Sequence, residues 1–300
     1  MALITAGLIQ ALNTGFRDDF QRGLADAQAE VMWTRIATEV PSVTASNTYG
    51  WLGDMPQLRE WIGDRQVKDI KEHGYQIVNK SYEGTVGVKR TLIEDDQFGM
   101  YRPIMQGLGT SAARLPDELL FGLLKNGHAN LCHDQQFFFD TDHPVYPNVD
   151  GTGTAITVGN VATGSAPAWY LLDVNNVLRP FIWQSRKKPE LVAMTASNDE
   201  QVFTANEFRY GVDMRGNAGY AFWQLAYKSQ AVLDEDGYAA ARAAMMNVKT
   251  DGLRPLNVRP SLLIVPPALE KAARNLLLKD KDGGNPWYGS AELLVTQLIS

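Results

Sequence analysis

Residues 97–126 read QFGMYRPIMQGLGTSAARLPDELLFGLLKN. Within this stretch Tyr101, Ile104, Leu108, Ala112, Leu115, Leu119 and Leu123 step by three and four, the spacing that lines one face of an α-helix. Asp95 or Asp96 can cap the start, and Pro103 fits a first turn. Asn126-Gly127 is a usual helix ending. Pro116 predicts a kink or a break, because proline removes a donor and its ring crowds the carbonyl one turn back. Unbroken, the helix is about 40 Å long at roughly 1.5 Å per residue. Such a length suits a strut better than the packing element of a compact domain.

Upstream, residues 49–95 change character. Tyr49, Trp51 and Trp61 alternate with Gly50, Gly53, Pro56 and Gly63, and a mixed-sign stretch follows from Asp64 to Glu72. Tyr75 to Asn79 and Tyr82 to Ile93 have strand composition, with Gly84 and Gly87 between alternating apolar and polar residues. This is a β ribbon with few positions to bury, and an isolated two-stranded ribbon is marginal in water. It must lie on this chain's own body or be completed by neighbouring subunits. Further upstream, Phe16, Phe20, Leu24, Ala27 and Val31 share one helical face, with Asn13 or Thr14 as the cap and Pro41 closing the region. A single apolar stripe at a chain end needs a surface to cover, in its own core or on another subunit.

Downstream, residues 127–166 are loop-rich. The next expected strands are Trp169 to Leu172, Pro180 to Trp183, Glu190 to Met194 and Phe222 to Lys228. An Ala-rich helix at 234–247 is capped by Asp234 or Asp236. Ser261 to Val265 reads as a buried strand running into a helix from Pro266 to Lys279, and Ala291 to Ile299 as a last apolar strand.

The 300 residues are 45% hydrophobic and 21% charged, ordinary for a globular protein with a sizeable core. The formal net charge of −6 disfavours sequence-independent nucleic-acid binding, which draws its affinity from phosphate neutralisation. Cys132 is the single cysteine, so no intrachain disulfide forms. No apolar run approaches the roughly 20 residues of a membrane span, and the apolar start from Met1 to Ile9 lacks the basic residues of a signal peptide.

The densest set of potential ligands is His128, Cys132, His133 and Asp134, followed by Asp140, Asp142 and His143. Zinc favours such nitrogen and sulfur donors. Yet no paired C-x-x-C or H-E-x-x-H spacing occurs, and Phe137-Phe138-Phe139 interrupts the set. A loop in which Asp140 and Asp142 bond locally before Pro144 accounts for the same residues, and no metal is expected. Cys132 beside His133 is a poor nucleophile–base pair, because adjacent side chains point apart. No G-x-S-x-G, phosphate loop or G-x-G-x-x-G pattern is present. Arg186-Lys187-Lys188 reads as a solvated strand end, and Asp234-Glu235-Asp236 as an acidic first helical turn. With no catalytic residues and no cofactor expected, the arm, ribbon, strut helix and aromatic β body have the profile of an assembly subunit rather than an enzyme.

Several segments then resemble the Mu-like prophage major head subunit family. They include Phe139-Asp140-Thr141-Asp142-His143-Pro144, Trp169-Tyr170-Leu171-Leu172-Asp173, Phe208-Arg209-Tyr210-Gly211-Val212-Asp213, Gly219-Tyr220-Ala221-Phe222-Trp223 and Leu263-Ile264-Val265-Pro266-Pro267. The resemblance spans nearly the whole chain. It implies an α+β protein with the HK97-type capsid fold. Residues 1–48 would be an N-terminal arm, 49–95 an extended loop, and 96–150 a peripheral domain with the spine helix. Residues 151–300 would hold the axial domain and the remaining peripheral strands. It also implies self-assembly into hexamers and pentamers of an icosahedral tailed-phage head around double-stranded DNA. The implied partners are copies of itself, a scaffold, a portal, and decoration or minor capsid proteins. DNA is contained rather than tightly bound, no membrane is involved, and assembly occurs in the host bacterial cytoplasm before residence in the virion. The expected assembly residues are Phe16, Phe20 and Leu24 in the arm, and Trp51, Arg59, Trp61, Arg65, Tyr82 and Arg90 in the loop. The order departs from the family's expected one in a single respect: the Val265-Pro266-Pro267 piece follows the Trp169 piece instead of preceding it. An encapsulin-like nanocompartment subunit shares the implied fold, and a metal-dependent enzyme using His128, Cys132 and His143 is the rival from another class.

Overall fold

A computed structural model describes residues 5–53, 74–94, 98–149, 151–279 and 284–300, with Ala6, Trp51, Glu94 and Phe98 described by their backbone alone. Its frame is two helices against a sheet. Helix α1 (Ala6–Gln28) starts at Thr5, whose hydroxyl accepts from the Leu8 N–H at 3.2 Å. That is earlier than the expected cap at Asn13 or Thr14, because those side chains are engaged elsewhere. Asn13 accepts from the Tyr210 hydroxyl at 2.8 Å and donates to Thr195 at 3.0 Å, while Thr14 donates back to the Gln10 carbonyl at 2.9 Å. Helix α2 (Trp33–Ile36) is a single turn leading into β1 (Ala37–Pro41). The donor-less Pro41 is the last residue of this edge strand. Strands β2 (Ser46–Thr48) and β3 (Gln76–Val78) pair antiparallel, and β4 (Lys80–Lys89) and α3 (Arg90–Glu94) follow.

The strut is α4 (Arg102–Asn126), one uninterrupted helix of 25 residues, or about 37 Å at roughly 1.5 Å per residue. The expected caps Asp95 and Asp96 lie outside the described residues; a 3₁₀ turn, Phe98–Tyr101, leads in. Pro116 does not break the helix. Its ring is buried, and the next residue, Asp117, takes the N–H groups of Met32 at 3.1 Å and Trp33 at 2.6 Å. Tertiary contacts at this point offset the intrahelical bond that proline forfeits.

Past α4, a hairpin of β5 (His143–Val145) and β6 (Ile156–Val158) leads to β7 (Val161–Ala162) and β8 (Trp169–Leu172). The expected strands Pro180 to Trp183 and Glu190 to Met194 are two ends of one long strand, β9 (Phe181–Met194). After α5 (Glu200–Ala205), a strand not expected from the sequence, β10 (Glu207–Tyr220), pairs with both β9 and β4. The sheet order is β1-β9-β10-β4, so the ribbon is completed by this chain's own β10. Phe208, Tyr210, Val212 and Met214 alternate inward from β10, and α1 and α4 cover that face in the first core.

The second sheet runs β15-β14-β8-β11-β7. Strand β11 (Ala226–Ser229) is shorter than expected because Trp223–Leu225 form a 3₁₀ turn before it. Helix α6 (Glu235–Met246) is capped by Asp234, which accepts from the Gly237 N–H at 2.8 Å. Next come the small β12 (Lys249–Thr250)–β13 (Arg254–Pro255) hairpin and β14 (Leu262–Val265). The expected helix from Pro266 resolves into a 3₁₀ turn, Pro267–Leu269, and α7 (Glu270–Leu277). Strand β15 (Glu292–Val295) stops short of Ile299, because the Thr296 hydroxyl accepts from the Leu298 N–H at 3.2 Å and starts a 3₁₀ turn. Side chains from this sheet, α6 and α7 form the second core.

Candidate assembly surfaces and a buried polar cluster

The arm is locked to the strut by close backbone approach. A Cβ on Gly23 would overlap the Gln106 carbonyl, and one on Gly109 would overlap the Phe20 carbonyl. Around this contact, buried Asp19 receives Arg102 Nε at 3.1 Å and Gln106 Nε2 at 3.3 Å, and the Thr110 hydroxyl reaches the Gly23 carbonyl at 3.3 Å. The Asp19 pair holds the Arg102 guanidinium above its ordinary range. Phe16, Phe20 and Leu24 therefore lie in this chain's own core, with Phe16 edge-on to Tyr210 at 5.0 Å.

The described residues on either side of 54–73 are equally well held. Gln184, fully buried in β9, accepts from the Tyr49 hydroxyl at 2.8 Å. Its amide donates to the Ile77 carbonyl at 3.0 Å and to Asn79 at 2.8 Å. The Tyr75 hydroxyl accepts the Tyr220 N–H at 2.8 Å. Arg59, Trp61 and Arg65 fall outside the described residues. Tyr82 sits on β4 opposite Met214, half-buried, and its hydroxyl finds no hydrogen-bond partner among the described residues. The Arg90 N–H donates to the Asn206 carbonyl at 3.1 Å, tying the end of the ribbon to the β10 side. The structure thus brings the N-terminal helix and β4 onto the first core, while Tyr49, Leu52 and Ile77 pack into the second. Arg186-Lys187-Lys188 is not a strand end: it lies mid-strand in β9, where Lys187 pairs with Asp213 at 2.6 Å.

The segment after α4 packs into the first core through Cys132, Phe138, Phe139 and Val145. Phe138 stacks on Tyr220 with centroids 4.4 Å apart, and the Tyr220 hydroxyl donates to the Leu123 carbonyl at 2.9 Å. Buried Asn160 donates to the Phe138 and Trp223 carbonyls and accepts the Asp140 N–H at 2.9 Å. From the ligand set read in the sequence, the fold gathers Cys132, Asp134 and His143. His128 is drawn off, its Nδ1 3.2 Å from the Lys125 carbonyl and 3.3 Å from Lys228 Nζ. Burial raises the Cys132 thiol strongly. Burial also opposes ionisation of Asp134, but bonds from His143 and Cys132 outweigh it and hold that carboxyl down at about 2. No helix among the described residues is long and apolar enough to cross a membrane.

Comparison with known proteins agrees with this architecture. The chain is 45% identical over 306 residues to the major capsid protein of Escherichia phage Mu, covering 99% of this chain and 100% of that one. It is 47% identical over 290 residues to the Mu-like prophage FluMu major head subunit of Haemophilus influenzae, covering 94% of each. It superposes on a chain of the procapsid of bacteriophage JBD30 with TM-score 0.86 and 51% identity, covering 98% of this chain and all of that one. On a chain of the JBD30 capsid the TM-score is 0.74 at 41% identity, with both chains fully covered. The segment order is therefore the family's own, correcting the departure expected above. Trp169–Leu172 and Leu262–Val265 are neighbours in one sheet through antiparallel β8–β14 pairing. The description Mu-like prophage major head subunit gpT matches residues 9–299, and the chain belongs to that family, with the α+β capsid fold of its relatives.

Proposed function

We propose that this major head subunit assembles into the hexamers and pentamers of an icosahedral tailed-phage head that encloses double-stranded DNA. The observation that carries the proposal is the end-to-end superposition on the JBD30 procapsid chain. Shell contacts are individually modest, and their number makes the closed particle stable.

The division of labour follows the chain. Residues 1–48 act as the arm, 49–95 as the extended loop, 96–150 as the peripheral domain with α4 as its spine, and 151–300 as the axial domain with the remaining strands. In the loop, Trp51, Arg59, Trp61, Arg65, Tyr82 and Arg90 make the assembly contacts. Phe16, Phe20 and Leu24 serve assembly by fixing where the arm leaves the body. DNA is contained without a basic binding surface, as the net charge of −6 favours. Scaffold, portal and decoration proteins complete the particle, which is built in the host cytoplasm and resides in the virion.

The test is electron microscopy of the purified protein beside a variant lacking residues 55–72. The deletion spares Tyr75, whose carbonyl and hydroxyl are anchored to Tyr49 and Tyr220. The full chain should give shells, tubes or capsomer rings; the variant should give a folded subunit without shells. Normal shells from the variant would overturn the role of the loop, and a concentrated monomer that never assembles even with its co-expressed head genes would overturn the whole reading.

A further inference from the structure

The turn after α4 is tightly closed. The Cys132 N–H donates to the Gln136 carbonyl at 2.8 Å, the Gln135 N–H donates to the Cys132 carbonyl at 3.2 Å, and Gln135 takes a left-handed φ of 68°. This turn sets Cys132 Sγ 3.0 Å from Asp134 Oδ1. Strand β5 then brings His143 Nδ1 to 2.7 Å from Asp134 Oδ2. One donor atom from each of the three residues lies within 4.8 Å of the others. The His143 ring is clamped parallel to Trp223, 3.9 Å away at 7°. It is fully buried, and its Nε2 has no hydrogen-bond partner among the described residues. Cys132 is 2% exposed, while the Asp134 side chain keeps 13% of its surface in solvent and marks the entrance.

We propose that Cys132, Asp134 and His143 form a binding site for one divalent transition-metal ion, zinc by preference. The donor set is one sulfur, one oxygen and one imidazole nitrogen, the mixture that suits zinc and disfavours magnesium or calcium. The charges also close. A thiolate and a carboxylate balance a 2+ ion while the imidazole is neutral, leaving a buried centre with no net charge. On binding, the Cys132 S–H bond breaks, a sulfur–metal bond forms and that proton leaves to solvent. The imidazole proton passes from Nδ1 to Nε2, freeing the Nδ1 lone pair to face the ion. Water fills the fourth position on the Asp134 side. The donors already cluster, so side-chain adjustments bring them into coordination range.

Because Cys132 is the sole cysteine, a thiolate-to-cobalt charge-transfer band can arise only here. The full-length protein is purified under reducing conditions, loaded with zinc or cobalt, dialysed and analysed for bound metal and absorption. The expected result is one equivalent of metal per chain and a near-ultraviolet cobalt band that zinc bleaches. Cys132→Ser should abolish the band, and His143→Gln should weaken retention. Substoichiometric metal and no charge-transfer band in the unmutated protein would overturn the proposal, independently of whether either variant folds. So would stoichiometric metal that Cys132→Ser leaves unchanged, which would place the ion elsewhere. Neither failure touches the shell-forming role.

Discussion

At the scale of single residues, three glycines in the same helix pair have opposite roles. Gly23 and Gly109 sit where α1 and α4 touch backbone to backbone, so a methyl group there must push the helices apart. Gly109→Ala should destabilise the protein by about 1–3 kcal/mol, as overpacking does, seen as a lower midpoint in thermal denaturation. Gly122, in α4 as well, has open space where a methyl group would sit, with nothing within 4 Å. Gly122→Ala should instead stabilise by roughly 0.5–1 kcal/mol through helix propensity. Asp117 offers a second contrast. Burial raises its pKa, while the Met32 and Trp33 N–H groups pull it back down. Asp117→Asn keeps an acceptor and removes the desolvated charge, so its cost should be small. Asp117→Ala orphans those N–H groups and should cost about 1–3 kcal/mol by chemical denaturation.

At the scale of elements, the described residues on either side of 54–73 are held by one buried side chain. Gln184 satisfies Tyr49, Ile77 and Asn79 at once from the interior of β9. Gln184→Ala should cost roughly 2–4 kcal/mol, because it opens a cavity and leaves buried polar groups unpaired. Hydrogen exchange should show protection lost first at Tyr49 and Ile77, ahead of α4; uniform loss over both would contradict a local anchor. The strut itself tolerates Pro116 because α1, α2 and the four-stranded sheet hold it on several sides, so its unbroken run is set by packing rather than by propensity.

For the whole molecule, several aromatic residues of the core carry desolvated hydroxyls. Burial pushes Tyr75 and Tyr170 up to about 12, and pushes Tyr210 and Tyr220 up as well, from an ordinary value of 10.0. These phenols ionise more easily in the unfolded chain. Their contribution to stability is therefore complete below about pH 10 and is lost as pH rises toward 12. Alkaline titration should show tyrosinate absorbance from these residues appearing together with loss of tertiary circular dichroism. Smooth ionisation of all tyrosines near 10 in a folded protein would contradict their burial. At this scale too, both cores are built without residues 54–73 among the described ones, so deleting 55–72 should spare folding, and on the proposed role of the loop it should abolish shells.

Much of this was legible in the sequence. The apolar spacing from Tyr101 to Leu123, the Asp234 cap and the buried run at Leu262–Val265 name their elements directly, because local periodicity and capping chemistry are properties of neighbouring residues. The family signatures likewise carry the capsid fold. Strand β10 was readable in principle from its alternation of Phe208, Tyr210, Val212 and Met214, but Gly211, Gly216 and Gly219 disguised it. What only tertiary structure decided were facts about distant partners. Phe16, Phe20 and Leu24 face the chain's own core because Gly23 and Gly109 let two helices meet. The ribbon is completed by a strand more than a hundred residues away. Cys132 and His143 share one carboxylate because a tight turn and a later strand converge. Sequence spacing sets which residues share a face; only the closure of long loops sets which faces meet.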